Sequence, residues 1–293
     1  MAPKQLPLAQ WLPYKEDRNA GKGGRSFYFF DLDDNILHMD TRIVLFHKKS
    51  GREIEISSAE LARSTKSIGK EGLYADYCLD LNDTTGSYRN FRDRSYPPWI
   101  LGKRRRQSIE IDLERAIAKP EWDWHGPCWN HFFYAVLNGR PVSIITARGH
   151  RAATIKRTLN ILHRRGYLPR RPNLLSIYPV SNPELRSELG DPDLKGPIAL
   201  LKKEALLRSV ERAFEKYGYN PHHRFGVSDD DPHNIEEITA SLVEIKKKYP
   251  HNAFFVIDSS GGTIQKTEIF EDHLLPSEKI KLVDALNYRL FDF

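Results

Sequence analysis

The chain has 293 residues, of which 40% are hydrophobic and 29% charged, a balance that supports a large buried core. Gly and Pro, at 18 each, sit near ordinary usage, which excludes collagen-like, low-complexity and largely disordered classes. Forty-five Lys and Arg against thirty-nine Asp and Glu leave a net +6, enough to attract phosphates but far from a histone-like composition.

No apolar run reaches the ~20 residues needed to cross a bilayer, so no membrane span is expected. The first residues carry no continuous apolar segment, so no secretory signal is expected either. Only Cys78 and Cys128 are present, far apart and without a C-x-x-C. That argues against a disulfide scaffold or a zinc-thiolate site and predicts a cytoplasmic location.

In chain order, residues 1–25 read as an N-terminal arm that ends in GKGG. Ser26 to Phe30 is a short aromatic run closed by Asp31-Leu32-Asp33-Asp34-Asn35. An apolar run of that length, bounded by turn formers, predicts a strand buried on both faces. Residues 41–57 predict a hairpin, with RIVLFH and EIEIS as strands and Lys49-Ser50-Gly51-Arg52 as the turn. Residues 58–135 are less regular and hold the basic run GKRRR and the Trp-rich WDWHGPCW. A rhythm then sets in. Helices are predicted at 128–138, 150–165, 198–217, 232–249 and 277–288, and strands at 142–145, 174–178, 225–228 and 253–257. Strands alternating with amphipathic helices specify a doubly wound α/β fold, with a parallel sheet covered on both faces. Most of the long connection from Asp31 to Val142 must be an insert at the carboxyl ends of the strands, where open parallel sheets bind ligands.

Four polar clusters fall at four predicted strand or helix ends. In the first, Asp31 and Asp33 point the same way by period-two alternation. Two carboxylates ~4 Å apart repel by ~1–4 kcal/mol, so a cation or a proton must accompany them. An Asx-type turn is the bland alternative. The second, Thr146-Ala147-Arg148-Gly149, suits either a phosphoryl oxygen or a helix cap made by Thr146 or His150. The third is Lys202, beside the apolar stripe of its helix. The fourth is Asp229-Asp230-Asp231-Pro232-His233-Asn234. Here Asp231 is expected to cap the helix begun by Pro232, and Asp230 to serve a hard cation such as Mg²⁺.

These four motifs, in this order and on these elements, resemble the haloacid dehalogenase (HAD) superfamily over roughly 26–40 and 128–260. The resemblance implies a Rossmannoid core at 26–40 and 128–293, with a flap hairpin and an inserted C1-type cap at 41–127. It implies a phosphomonoester hydrolase working through an aspartyl phosphate. Asp31 is then the nucleophile and Asp33 the general acid and base. Thr146 and Lys202 bind the transferring phosphoryl group. Mg²⁺ is held by Asp31, the Asp33 backbone carbonyl and Asp230, with Asp229 and Asn234 in secondary, orienting roles. Asn35 departs from the family pattern, which most often has Thr or Val there. A non-catalytic module binding phosphorylated ligands or nucleic acid, and a phosphotransferase, stand as alternatives.

The basic run also holds Arg104, Arg105 and Arg106, which are candidate contacts for a nucleotide or a phosphorylated nucleic-acid end. The aromatics near it, Tyr96, Trp99, Trp122, Trp124 and Trp129, are expected mainly to build the core of the insert.

Overall fold

The computed structural model describes residues 14–82, 84–97, 99–100, 105–261, 263–270 and 274–281. Strand β1 (Ser26–Phe30) is followed by a hairpin of β2 (Ile43–His47) and β3 (Glu53–Ile56). Next come α1 (Ser58–Ser64), the short β4 (Tyr77–Cys78), α2 (Ser108–Ala116) and α3 (Glu121–Trp124). Alternation then begins with α4 (Trp129–Leu137), β5 (Pro141–Thr146), α5 (Ala152–Arg164) and β6 (Asn173–Pro179). It continues with α6 (Pro183–Glu188), α7 (Ile198–Tyr217), β7 (Arg224–Asp229), α8 (Pro232–Lys248) and β8 (Ala253–Asp258). Strands β9 (Thr263–Ile269) and β10 (Leu274–Lys281) close the described chain.

The main sheet has the order β10-β9-β8-β7-β1-β5-β6. From β8 to β6 all neighbours pair in parallel, while β9 and β10 add an antiparallel hairpin at one edge. Its two faces carry separate apolar clusters. Phe30, Val142 and Ile144 meet α2, α4 and α5 on one face. Phe27, Phe29 and Val227 meet α7 and α8 on the other. Alternation along β1 makes this division, since successive side chains of a strand point to opposite faces. Helix α7 buries Leu201, Ala205, Leu206, Val210 and Ala213, a stripe at helical spacing. Each large apolar side chain so buried contributes about 1.5–3 kcal/mol. Asp231 caps α8 by accepting from the His233 amide, with Pro232 at the first helical position.

The long connection divides. Strands β2, β3 and β4 form a small sheet over Ile43, Leu45 and Ile56. Helix α2 instead packs against α5, and its Ile109, Leu113 and Ala116 join the cluster on the main sheet. The segment is sewn to the core at two places. His38 donates to the Trp124 carbonyl (2.8 Å), Gly126 to Ile36 (2.9 Å) and Cys128 to Asn35 (2.9 Å). Further along, Gly149 donates to the Phe91 carbonyl (3.0 Å), and the Arg92 guanidinium lies over the space where Gly149 has no side chain.

Three expectations need correction. Residues 277–281 belong to a strand, β10, because pairing with β9 in the sheet overrides a weak helical pattern; residues 282–288 of that predicted helix lie outside the described residues. The part of the arm from 14 to 25 is packed rather than loose. Asp17 accepts from the Ser26 amide (3.0 Å) and pairs with the buried Arg140 (2.7 Å). Residues 1–13 lie outside the described residues. The start of α5 is capped neither by Thr146 nor by His150. Asp93, from the inserted segment, accepts from the Arg151 amide (3.2 Å) and the Thr154 hydroxyl (3.0 Å).

Among the described residues, no helix is long and apolar enough to cross a membrane.

Candidate functional site

Phe27, Phe29 and Asp31 alternate onto the α7 side of the sheet, so the Asp31 carboxylate leaves β1 towards α7. Lys202 reaches it from the second turn of that helix. Its Nζ donates to Asp31 Oδ1 (3.0 Å) and to Asp229 Oδ2 (2.9 Å), joining the ends of β1 and β7. The other oxygen of Asp229 accepts from Asn234 Nδ2 (3.0 Å) and from the Asp231 amide (3.1 Å). Asn234 therefore orients Asp229, and Asp229 orients Lys202.

Charge in this pocket is unbalanced. Burial pushes the Asp31 carboxyl well above the usual carboxylate range, Lys202 draws it back in part, and Asp229, Asp33 and Asp230 add to the rise. Burial also raises Asp230, to about 7, helped by Asp229 and Asp34. For Lys202, burial alone would lower the ammonium's value, but Asp31 and Asp229 outweigh it and hold the charge on. One ammonium faces more carboxylate than it can neutralise.

Asp33 points to the other side of the same opening. Arg148, 1% exposed, forks onto it, with Nε at 2.8 Å from Oδ2 and Nη2 at 2.6 Å from Oδ1. Nη2 also donates to Thr41 Oγ1 (2.9 Å), whose hydroxyl donates to Asp112 (2.8 Å). The guanidinium lies 4.9 Å from the Phe91 ring centroid, a cation–π contact. Thr146 Oγ1 accepts from the Arg148 amide (3.3 Å) and stands 3.5 Å from Asp33 Oδ2, at the outer limit of a hydrogen bond.

Asn35 has a structural task. Its buried amide donates to the Asp31 carbonyl (3.2 Å), the Ser228 carbonyl (3.2 Å) and Ser228 Oγ (2.9 Å), and accepts from Ser259 Oγ (3.2 Å). It thus fixes the ends of β1 and β7 side by side, which sets the separation of Asp31 and Asp229. The chain then turns through Asp34, which adopts the left-handed conformation (φ 58°) open to Asp and Asn.

The structure thus brings Asp31, Asp33, Thr146, Lys202, Asp229 and Asn234 to one opening at the carboxyl end of the sheet, with Asp230 beside them. It does not bring Arg105 or Arg106 there. Arg104 lies outside the described residues. Arg105 reaches the Pro97 carbonyl (3.5 Å), and Arg106 pairs with Glu114 (2.9 Å) and donates to the Glu110 carbonyl (3.0 Å). Trp124 and Trp129 are buried as expected of core residues, whereas Trp99 and Trp122 are exposed.

Arg148 is the functional candidate that the sequence motifs overlooked. The one nearby signal was Gly149, whose missing side chain leaves room for Arg92.

Among the described residues, no three His, Cys, Asp or Glu side chains converge as a metal cage. Burial first, with neighbouring carboxylates adding to it, pushes the Asp31 and Asp230 carboxyls up, and their hard oxygens suit a small divalent cation bound by few side chains.

The chain matches no protein-family model, no curated protein and no solved structure.

Proposed function

We propose that this chain is a Mg²⁺-dependent phosphomonoester hydrolase of the HAD type, working through an aspartyl phosphate on Asp31. The observation that carries the reading is the Lys202 bridge between Asp31 and Asp229, with Asp33 and Thr146 across the same opening. An Asx-type turn needs neither the buried ammonium nor the second strand's carboxylate.

In this reading an Asp31 oxygen attacks phosphorus, the bond to the leaving oxygen breaks, and Asp33 gives that oxygen its proton. Asp33 then takes a proton from water as the water attacks the phosphorus of the aspartyl phosphate. Inorganic phosphate leaves and Asp31 is restored. Lys202 and Thr146 hold the phosphoryl oxygens, whose charge spreads in the loose transition state. A bound Mg²⁺, held by Asp31, Asp230 and the Asp33 carbonyl, supplies further neutralisation of that charge. A nucleotide or a phosphorylated nucleic-acid end is the proposed substrate class. It is supported by the net charge of +6 and weakened by the engagement of Arg106 with Glu114.

A second reading, a module that binds phosphorylated ligands without turnover, is favoured by one contact. The Arg148 fork holds both oxygens of Asp33. Release of phosphate from a generic aryl phosphate with Mg²⁺, and its loss with EDTA, separates the two. Asp31→Asn should abolish release, and Asp33→Asn should lower it by roughly 10²–10⁴. Turnover unaltered by Asp31→Asn removes the aspartyl phosphate; ligand binding without any turnover supports the module.

A further inference from the structure

A cavity of about 440 Å³ opens on the other face of the sheet from Lys202, within the range of small-ligand sites. Its floor is a row of three residues in register, Tyr28 of β1 beside Gly226 of β7, and Gly226 beside Phe255 of β8. Residues level with one another across a sheet project to the same face. The row is therefore ring, gap, ring. Two strand spacings place the aromatic residues roughly 9.6 Å apart. A planar ring at van der Waals distance from both needs about 7–8 Å.

Nothing in the backbone demands the glycine. Gly226 has no positive φ, and a Cβ there would meet only Ile257 Cδ1, at 3.7 Å. A glycine inside a strand costs stability, and one without a bulge or crowding to explain it marks close approach by something else.

Arg140 pairs with Asp17 at 2.7 Å. Basic side chains of the wall, Arg18, Arg224 and Lys266 among them, outnumber the acidic Glu16 and Asp17. Arg224 and Lys266 each lie over the Phe255 ring, 4.7 Å from its centroid, in cation–π contact. Burial, more than the neighbouring Arg18, pushes the Arg224 guanidinium below its ordinary value, while Tyr28, Glu268 and Asp17 act the other way.

We propose that this cavity binds a planar, anionic ligand of nucleotide size, its ring between Tyr28 and Phe255 over Gly226 and its anionic group against Arg224 and Lys266. The site is separate from the carboxylates and does not rest on the phosphatase reading.

Equilibrium dialysis of the full chain against adenosine 5′-monophosphate, with EDTA present to prevent turnover, tests it. Saturable binding is expected, at least tenfold tighter than that of adenosine or of inorganic phosphate. Gly226→Val should weaken it at least tenfold without lowering the melting temperature, since the new Cβ makes only an ordinary contact with Ile257 Cδ1 at 3.7 Å and a strand favours Val over Gly. Should that variant unfold, Arg224→Gln gives a second test through charge, with the same expected loss. No saturable binding at millimolar ligand, or binding indifferent to both substitutions, overturns the proposal. Phosphate release is a separate readout, so either reading can fail without the other.

Discussion

Arg148 and Asp33 form an ion pair of unequal burial, the guanidinium 1% and the carboxylate 30% exposed. The arginine has no access to water if its partner is lost, whereas the aspartate keeps some. Removing the carboxylate should therefore be the more damaging change. Asp33→Ala is expected to cost about 3 kcal/mol, the low end for a stranded buried charge, because Thr41 and Phe91 still engage Arg148. Arg148→Ala should cost less. Urea denaturation of both variants checks the order, and equal or reversed costs would show that the pair is wetter than its geometry indicates.

Lys202→Met leaves Asp31 and Asp229 facing each other without their shared ammonium. A destabilisation of about 3–5 kcal/mol is expected near neutral pH. The sign of its pH dependence follows from Asp31, whose carboxyl is already pushed up by burial. A carboxyl raised in the folded state favours folding when protonated, and that contribution is lost as pH rises towards the raised value. The gap in denaturation midpoint between the variant and the wild type, measured with EDTA, should widen with rising pH. A constant gap would mean that Lys202 acts by packing alone.

Gly126 is a glycine by necessity. A Cβ at this position would lie 2.4 Å from the Asn35 carbonyl oxygen and 2.6 Å from its carbon. Both are backbone atoms of the turn that fixes Asp31, so neither can swing aside. Gly126→Ala should destabilise by about 1–3 kcal/mol and should also lower phosphate release, because Asn35 ties β1 to β7. Full activity in a destabilised variant would separate the turn from the site.

His150 is buried against Ser108, and burial, followed by the charges of Arg148 and Arg92, lowers its value to about 2. The neutral imidazole is the folded form. A histidine depressed on folding supports the fold above the unfolded value of 6.5 and loses that support as pH falls. Asp31 and Asp230, pushed up, act in the opposite sense over part of the same window, so the informative quantity is a difference. Between about pH 7.5 and about pH 5, the stability of His150→Gln relative to wild type should improve by roughly 2 kcal/mol. No change in that difference would place His150 in contact with water.

The sheet was legible because its inner strands are short apolar runs bounded by turn formers. Phe225 to Ser228 and Ala253 to Ile257 admit few other arrangements. Helix α7 begins and ends at Ile198 and Tyr217, where Pro197 and Gly218 stop the pattern. The hairpin at the sheet edge was not legible, because LPSEKIK alternates too weakly to outweigh a helical spacing, and only β9 beside it decides the matter. The polar clusters announced Asp31, Asp33, Thr146 and Lys202 as candidates for one place. They could not announce the Asp93 contact with the start of α5, or Thr41 and Asp112 behind Arg148. Those contacts join residues 58 to 107 positions apart and exist only once the insert has folded back.

That folding back has a mechanical consequence. A part attached along one seam can swing about it as a hinge. The segment that carries β2, β3 and β4 is held beside Asn35 and again where Phe91 meets Gly149 and Asp93 bonds the start of α5. To swing outward it must break the second attachment, including the Asp93 bonds to the Arg151 amide and the Thr154 hydroxyl. The inserted segment is therefore pinned on both sides of the strand ends that carry Asp31 and Thr146.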